Sequence, residues 1–114
     1  MRNNTLDGGV RPLKVEEVIR VLRQRWGVTY ELKLLIRGQA IFIQIMWGYL
    51  EQKSFPMNEG EYRNRLSNVL EVINRLGQSS IVREWLKTVN GKPKLGRVIS
   101  LRLNVDHRLQ EFVL

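Results

Sequence analysis

The stretch with the strongest claim to chemistry is Gly91-Lys-Pro-Lys-Leu-Gly96-Arg97-Val98, which nearly spells the phosphate-cradling pattern G-x-x-x-x-G-K-[ST]. Two requirements fail. Arg97 stands where the phosphate-binding lysine belongs, and Val98 where a magnesium-ligating hydroxyl belongs. The context fails as well, because a P-loop follows a strand and opens a helix, whereas this segment precedes a strand. His107 is the sole histidine and there is no cysteine. That rules out Cys–His and thiolate–metal constellations, and a Ser-His-Asp triad would have to use His107 with its sequence neighbour Asp106. Glu16-Glu17 and Glu59/Glu61 fall in first helical turns, where the helix dipole accounts for them without catalysis. No catalytic, cofactor or metal residue is assigned, and the chain is read as a non-enzyme.

Two groups remain that suit binding. Lys92, Lys94 and Arg97 make a basic loop, and Arg102 follows on the polar face of the next strand. Such cations grip phosphates, with Arg63 and Arg65 as further candidates, but no aromatic is interleaved for base stacking. A solvated turn explains the same residues. Trp26, Trp47 and Trp85 fall on apolar stripes that suit a core. Trp47 and Tyr49, at the exit of a strand, together with Phe55 form a candidate aromatic patch for a protein partner.

The elements that must position these residues follow from periodicity. In Tyr30–Tyr49, YELKLLIRGQAIFIQIMWGY, Tyr30, Leu32, Leu34 and Ile36 alternate with Glu31, Lys33, Leu35 and Arg37. After a turn at Arg37-Gly38-Gln39, Ile41, Ile43, Ile45, Trp47 and Tyr49 line one face. This predicts a hairpin, since strand side chains alternate with period 2. Ala40, Phe42 and Met46 on the reverse face of the second strand predict partial cover there and a central position for that strand. A lone hairpin is marginal in water, so helices must cover it.

Val15, Val18, Ile19, Leu22 and Trp26 predict a first helix from about Pro12 to Trp26, with Glu16, Glu17, Arg20, Arg23 and Arg25 mostly in water and Gly27 at its C-cap. Asn58 with Glu61 reads as a capping-box variant. It opens a second helix with Tyr62, Leu66, Val69, Leu70, Ile73 and Leu76 on its apolar stripe, stopped by Gly77. Ser79 or Ser80 opens a third helix that ends at Asn90-Gly91. Val98 to Val105 alternates as a third strand, with Ile99, Leu101, Leu103 and Val105 inward. Asp106 caps a short last helix carrying Leu109, Phe112 and Val113, and the ending from Glu111 to Leu114 docks. Residues 1–11 are expected to be a disordered tail, and 12–114 one α+β domain. Its elements run α-β-β-α-α-β-α, with a three-stranded antiparallel or mixed sheet packed by helices.

The length of 114 residues suits one domain, and 43% hydrophobic residues suffice for one core. A net charge of +8 favours anionic partners or simply keeps the domain soluble. The polar start has no secretory character, and the run Ala40–Leu50 is far short of a membrane helix, so a soluble cytoplasmic protein without membrane insertion is expected.

The stretch IFIQIMWGYLEQKSFPMNEGEY (Ile41–Tyr62), the later GKPKLGRVISLRL (Gly91–Leu103) and the Arg25-Trp26-Gly27 triplet resemble a small family of cyanobacterial proteins with relatives in plastid-bearing eukaryotes. The likeness covers about Val15 to Leu114. The family is a domain of unknown function, so the resemblance implies cyanobacterial cytoplasm or plastid stroma and carries over no site. The sequence is thus read as a binding or accessory domain for an unidentified protein partner. That partner would sit on the less covered sheet face or at the Trp47/Tyr49/Phe55 end. The alternative is an RNA-binding module using Lys92, Lys94, Arg97 and Arg102.

Overall fold

The alternating stretch is the spine of the molecule. In the computed structural model, which describes residues 11–105, β1 (Tyr30–Arg37) and β2 (Ala40–Tyr49) form an antiparallel hairpin. Arg37 faces Ala40 across a two-residue loop in which only Gly38 takes a positive φ, 62°. A side chain there would be strained, which is why glycine holds the first position of this turn class. β3 (Ile99–Leu103) pairs antiparallel with β2, giving the order β1-β2-β3 with β2 central, as the reverse-face pattern predicts.

Three helices supply the cover: α1 (Val15–Trp26), α2 (Glu59–Arg75) and α3 (Ser79–Thr88). The described elements therefore run α-β-β-α-α-β, an α+β domain. Leu32, Ile41, Ile43 and Ile45 are buried in one hydrophobic cluster with Val18 and Leu22 of α1, Leu66, Leu70 and Ile73 of α2, and Val82 and Leu86 of α3. At about 25 cal/mol per Å² of apolar surface, this burial is the main stabilising term. α2 starts as predicted. The Asn58 side chain accepts from the Glu61 amide (2.8 Å), and the Glu61 carboxylate accepts from the Asn58 amide (2.9 Å). The Tyr62 hydroxyl then donates to the Tyr30 carbonyl (2.7 Å), fixing the buried start of α2 on the hairpin.

Several expectations are corrected. α1 begins at Val15 rather than near Pro12, because the preceding segment is held elsewhere. The Leu13 amide donates to the Asn74 side chain (2.9 Å), whose amide donates back to the Leu13 carbonyl (3.1 Å). Ile36 is 49% exposed instead of inward, being near the far end of an edge strand. Trp47 leaves the apolar row because the register shifts. Tyr30 faces Tyr49 but Leu32 faces Ile45, so Met46, Trp47 and Gly48 stand opposite Glu31 alone. A bulge of this kind re-aims side chains. β2 nonetheless runs through Gly48 to Tyr49. The Phe55 ring packs over Gly48, 3.4 Å from where a Cβ would sit.

Ser79 opens α3 as expected, but as its first helical residue and not as its cap. The N-cap is Gln78, and the buried Ser79 hydroxyl has no hydrogen-bond partner among the described residues. β3 is shorter than predicted, with Leu103 buried and Ile99 and Leu101 half-buried. The predicted closing helix from Asp106, with His107 and the ending from Glu111 to Leu114, lies outside the described residues, as does the predicted tail except Arg11.

Candidate protein-binding surfaces

The sheet has two unlike faces. The register places Leu35, Phe42 and Arg102 in one cross-strand row, Lys33, Gln44 and Ser100 in the next, and Arg37 beside Ala40. All lie opposite the buried isoleucines, since alternation leaves the odd-numbered residues of β2 inward and the even-numbered ones outward. The Gln44 amide donates to the Ser100 hydroxyl (3.0 Å), which confirms that the two share a face. Leu35, Phe42 and Met46 are half-buried and none packs against the core among the described residues. The partial cover expected over Ala40, Phe42 and Met46 comes from neighbours in the sheet, not from a described helix. Lys33, Arg37 and Arg102 are exposed around this apolar row.

The helical side is organised differently, for several of its arginines tie elements together through carboxylates. Arg83 donates to both carboxylate oxygens of Glu17 (Nε–Oε2 2.5 Å, Nη2–Oε1 3.1 Å) and to the carbonyls of Arg11 and Pro12 (both 3.1 Å). Arg63 bridges Glu16 and Glu59. The Arg83 hydrogen bond holds the Glu17 carboxyl below the usual range despite its partial burial, and Arg63 does the same for Glu16. Burial pushes the Glu51 carboxyl up. Bonds from the Thr29 amide (2.8 Å) and hydroxyl (2.6 Å), with Arg23 near, outweigh that and bring it below the usual range. Glu17 and Arg25 are thus not simply wet, as the periodicity suggests. Arg25 donates to the carbonyls of Leu86 (2.8 Å) and Val89 (2.7 Å) and stacks on Trp26 at 4.5 Å. Among the described residues no carboxylate pairs with Lys33, Arg37, Lys92, Lys94, Arg97 or Arg102.

The aromatic trio Trp47, Tyr49 and Phe55 is half-buried throughout but divides in its packing. Tyr49 sits edge-on to Tyr30 (centroids 5.9 Å), which meets Trp26 in the same manner (5.9 Å). Phe55 tilts against Tyr62 at 6.3 Å. Both Tyr49 and Phe55 pack against the core, while Trp47, in the bulge, does not. The basic residues divide as well. Lys92, Lys94 and Arg97 are exposed around a tight turn in which Lys94 and Arg97 exchange backbone hydrogen bonds (3.0 and 2.7 Å). Leu95 at its tip is 87% exposed, and the indole N–H of Trp26 donates to Gly91 at its base (3.0 Å). Arg102 lies five residues of near-extended chain beyond Arg97, about 16 Å away, on the sheet face. Arg63 is held in its ion pairs, and Arg65 approaches Glu31 at 3.9 Å.

Sequence reasoning singled out Arg102 and placed Lys33 and Arg37 on the solvated reverse face of an edge strand, but did not join the three into one surface. The signal was present in ELKLLIR, where both cations share a parity with Leu35. Among the described residues no group of three His, Asp or Glu side chains could hold a metal ion, and no helix is long and apolar enough to cross a membrane.

The model of one family, a domain of unknown function (DUF3067), matches residues 16–113, and the chain belongs to that family. The chain is similar to the Alr2454 protein from Nostoc sp. strain PCC 7120, whose structure was solved in solution by NMR. The two are 33% identical over 90% of this chain and 98% of the other, with a TM-score of 0.78. No curated protein matches. The resemblance to a small cyanobacterial family of unknown function is therefore correct.

Proposed function

We propose that the chain is a non-enzymatic protein-binding domain whose partner presents an acidic surface to the open face of the sheet. One observation carries this reading: the exposed cations Lys33, Arg37 and Arg102 surround an apolar row of Leu35 and Phe42, and no carboxylate of the described residues answers them. An arginine beside a half-exposed aromatic is the composition of interface hot spots, and unpaired cations speed the encounter with an acidic partner. Trp47, which does not pack against the core, extends the same apolar surface in this proposal; Tyr49 and Phe55 support it from beneath. The compartment that goes with this reading is cyanobacterial cytoplasm or plastid stroma, supported by the kinship with a Nostoc protein.

An RNA-binding role through Lys92, Lys94, Arg97 and Arg102 is the second reading, supported by their exposure and lack of ion pairs. It is the weaker, because sheet platforms for RNA stack two or three bases on aromatic rings. Phe42 is the sole aromatic in the three cross-strand rows of the open face.

The test is retention of a partner from nuclease-treated Nostoc extract by the immobilised chain and by its Phe42→Ala/Arg102→Glu variant. A protein held by the first and lost by the folded second supports the proposal. Retention seen only when the nuclease is omitted, or equal retention by both, overturns it.

A further inference from the structure

A groove of about 790 Å³ lies between β1 and α2. Leu32, Lys33 and Leu34, three consecutive residues that alternate between sheet faces, all line it, so it runs along the edge of the strand rather than over either face. That edge is free. β1 pairs only with β2, and alternate residues of an edge strand aim N–H and C=O groups outward with no strand to receive them. Opposite stands one stripe of α2, running from Glu61 through Asn64, Asn68 and Val69 to Val72. At helical rise this stripe is about 16 Å long, the span of about five residues of extended chain. Val69 and Val72 with Leu32 and Leu34 give the groove apolar walls, and the exposed amides of Asn64 and Asn68 can each donate and accept.

We propose that this groove takes an extended acidic peptide segment of a partner protein, which adds to β1 as a fourth strand. The proposal rests on reading the chain as a protein-binding domain and gives that partner a second point of attachment, at the edge of the same strand that supplies Lys33 to the open face. Strand addition supplies affinity through main-chain hydrogen bonds, and alternate side chains supply specificity in the adjoining groove. Charge sets the sign of the guest. The lining holds two cations, Lys33 and Arg65, against one carboxylate, Glu61, whose charge stays negative although it accepts from the Asn58 amide; Arg65 also lies 3.9 Å from Glu31. Lys33 has no carboxylate partner among the described residues, nor has Arg37 further along the edge strand. A second copy of the chain is the poorer occupant, because edge-to-edge pairing of two β1 strands would set these cations against their own equivalents, and like charges across a strand pair destabilise it.

The probe is a phage-displayed library of random peptides about ten residues long, selected against the full chain. Peptides with Asp or Glu among alternating apolar residues should be enriched. A fluorescein-labelled copy should bind about tenfold or more weakly to Asn68→Trp, which fills the groove from an exposed helix position, and to Lys33→Glu. Its binding should be unchanged in Phe42→Ala/Arg102→Glu. The peptide should also slow hydrogen exchange at the outward amides of β1 in the unmutated chain, a readout that survives if Asn68→Trp does not fold. No enrichment, enrichment without acidic residues, undiminished binding to folded Asn68→Trp, unchanged exchange at β1, or a dimer that Asn68→Trp dissociates would each overturn the groove proposal. A partner retained through Phe42 and Arg102 while no peptide is enriched would remove the groove and leave the open-face reading standing.

Discussion

The helical side and the open sheet face of this molecule use the same residue types to opposite ends. On the helical side two arginines are structural. Arg83 joins α3 to Glu17 of α1 and to two carbonyls ahead of it, and Arg63 ties α2 to Glu16. On the open face Lys33, Arg37 and Arg102 touch no carboxylate of the described residues and surround apolar side chains that no described helix covers. The difference teaches that a net charge of +8 is not one quantity. Arg63 and Arg83 are cancelled by carboxylates that hold helices together, while Lys33, Arg37 and Arg102 sit uncancelled on the open face, where a partner can meet them.

The comparison predicts that substitutions on the helical side cost stability and those on the open face do not. The largest effect is expected at Arg83. Its side chain is 10% exposed and that of Glu17 15%, so removing one partner strands the other in poor solvent. Arg83→Met should lower the unfolding free energy by about 3 kcal/mol, measured by urea denaturation. The pair also sets an acid limit. The Glu17 carboxyl is depressed in the folded state, so its contribution is complete above the ordinary carboxylate value and is lost as pH falls through the lower folded value. Between about pH 5 and pH 3 the native chain should therefore lose stability more steeply than Glu17→Gln. Parallel slopes would place the pair among ion pairs without energetic weight.

Next comes Tyr62. Its hydroxyl reaches the Tyr30 carbonyl from a buried ring, and burial raises its pKa well above the ordinary value. Tyr62→Phe should cost about 1 to 2 kcal/mol, since the carbonyl loses a donor it cannot replace with water. The phenol should resist ionisation in alkaline spectrophotometric titration until the chain unfolds.

These two sites also show what the sequence could and could not reveal. Strands were legible because YELKLLIR and AIFIQIMW alternate with period 2, and α2 because Asn58 and Glu61 form a local cap that needs no tertiary partner. The central place of β2 followed from apolar residues on both its faces. What escaped was set by contacts distant in sequence. Glu17 and Arg83 are 66 residues apart, and helical periodicity marks each of them merely as polar. The Trp47 bulge depends on how β2 registers with Glu31, which alternation within one strand does not encode. The candidate surface was half legible. Arg102 stood out within a basic run and Lys33 and Arg37 on a solvated edge strand, but they became companions only once β3 was seen to pair with β2.

Ser79 offers a smaller effect of opposite sign. It has the residue type of an N-cap, yet it lies one residue inside α3, its hydroxyl buried without a partner among the described residues. Ser79→Ala removes an unmet polar group and improves helix propensity, so it should raise stability by up to about 1 kcal/mol. A loss of similar size would mean that the hydroxyl is satisfied in solution, by water or by a residue beyond those described.

The smallest effect on stability is expected on the open face, and there it decides the comparison. Lys33→Glu and Arg102→Glu each replace an exposed cation that no carboxylate holds, so thermal unfolding should shift by no more than about 0.5 kcal/mol in either direction. Their double variant should nevertheless lose the protein retained from nuclease-treated extract. Its loss should be reproduced in the unmutated chain by added salt in the association rate more than in the dissociation rate, because charges at an interface rim act chiefly on encounter. Retention by the double variant with unchanged stability would make these cations ordinary solubilising surface. A stability loss comparable to that of Arg83→Met would mean instead that the face is covered, and the contrast between the two sides of the sheet would disappear.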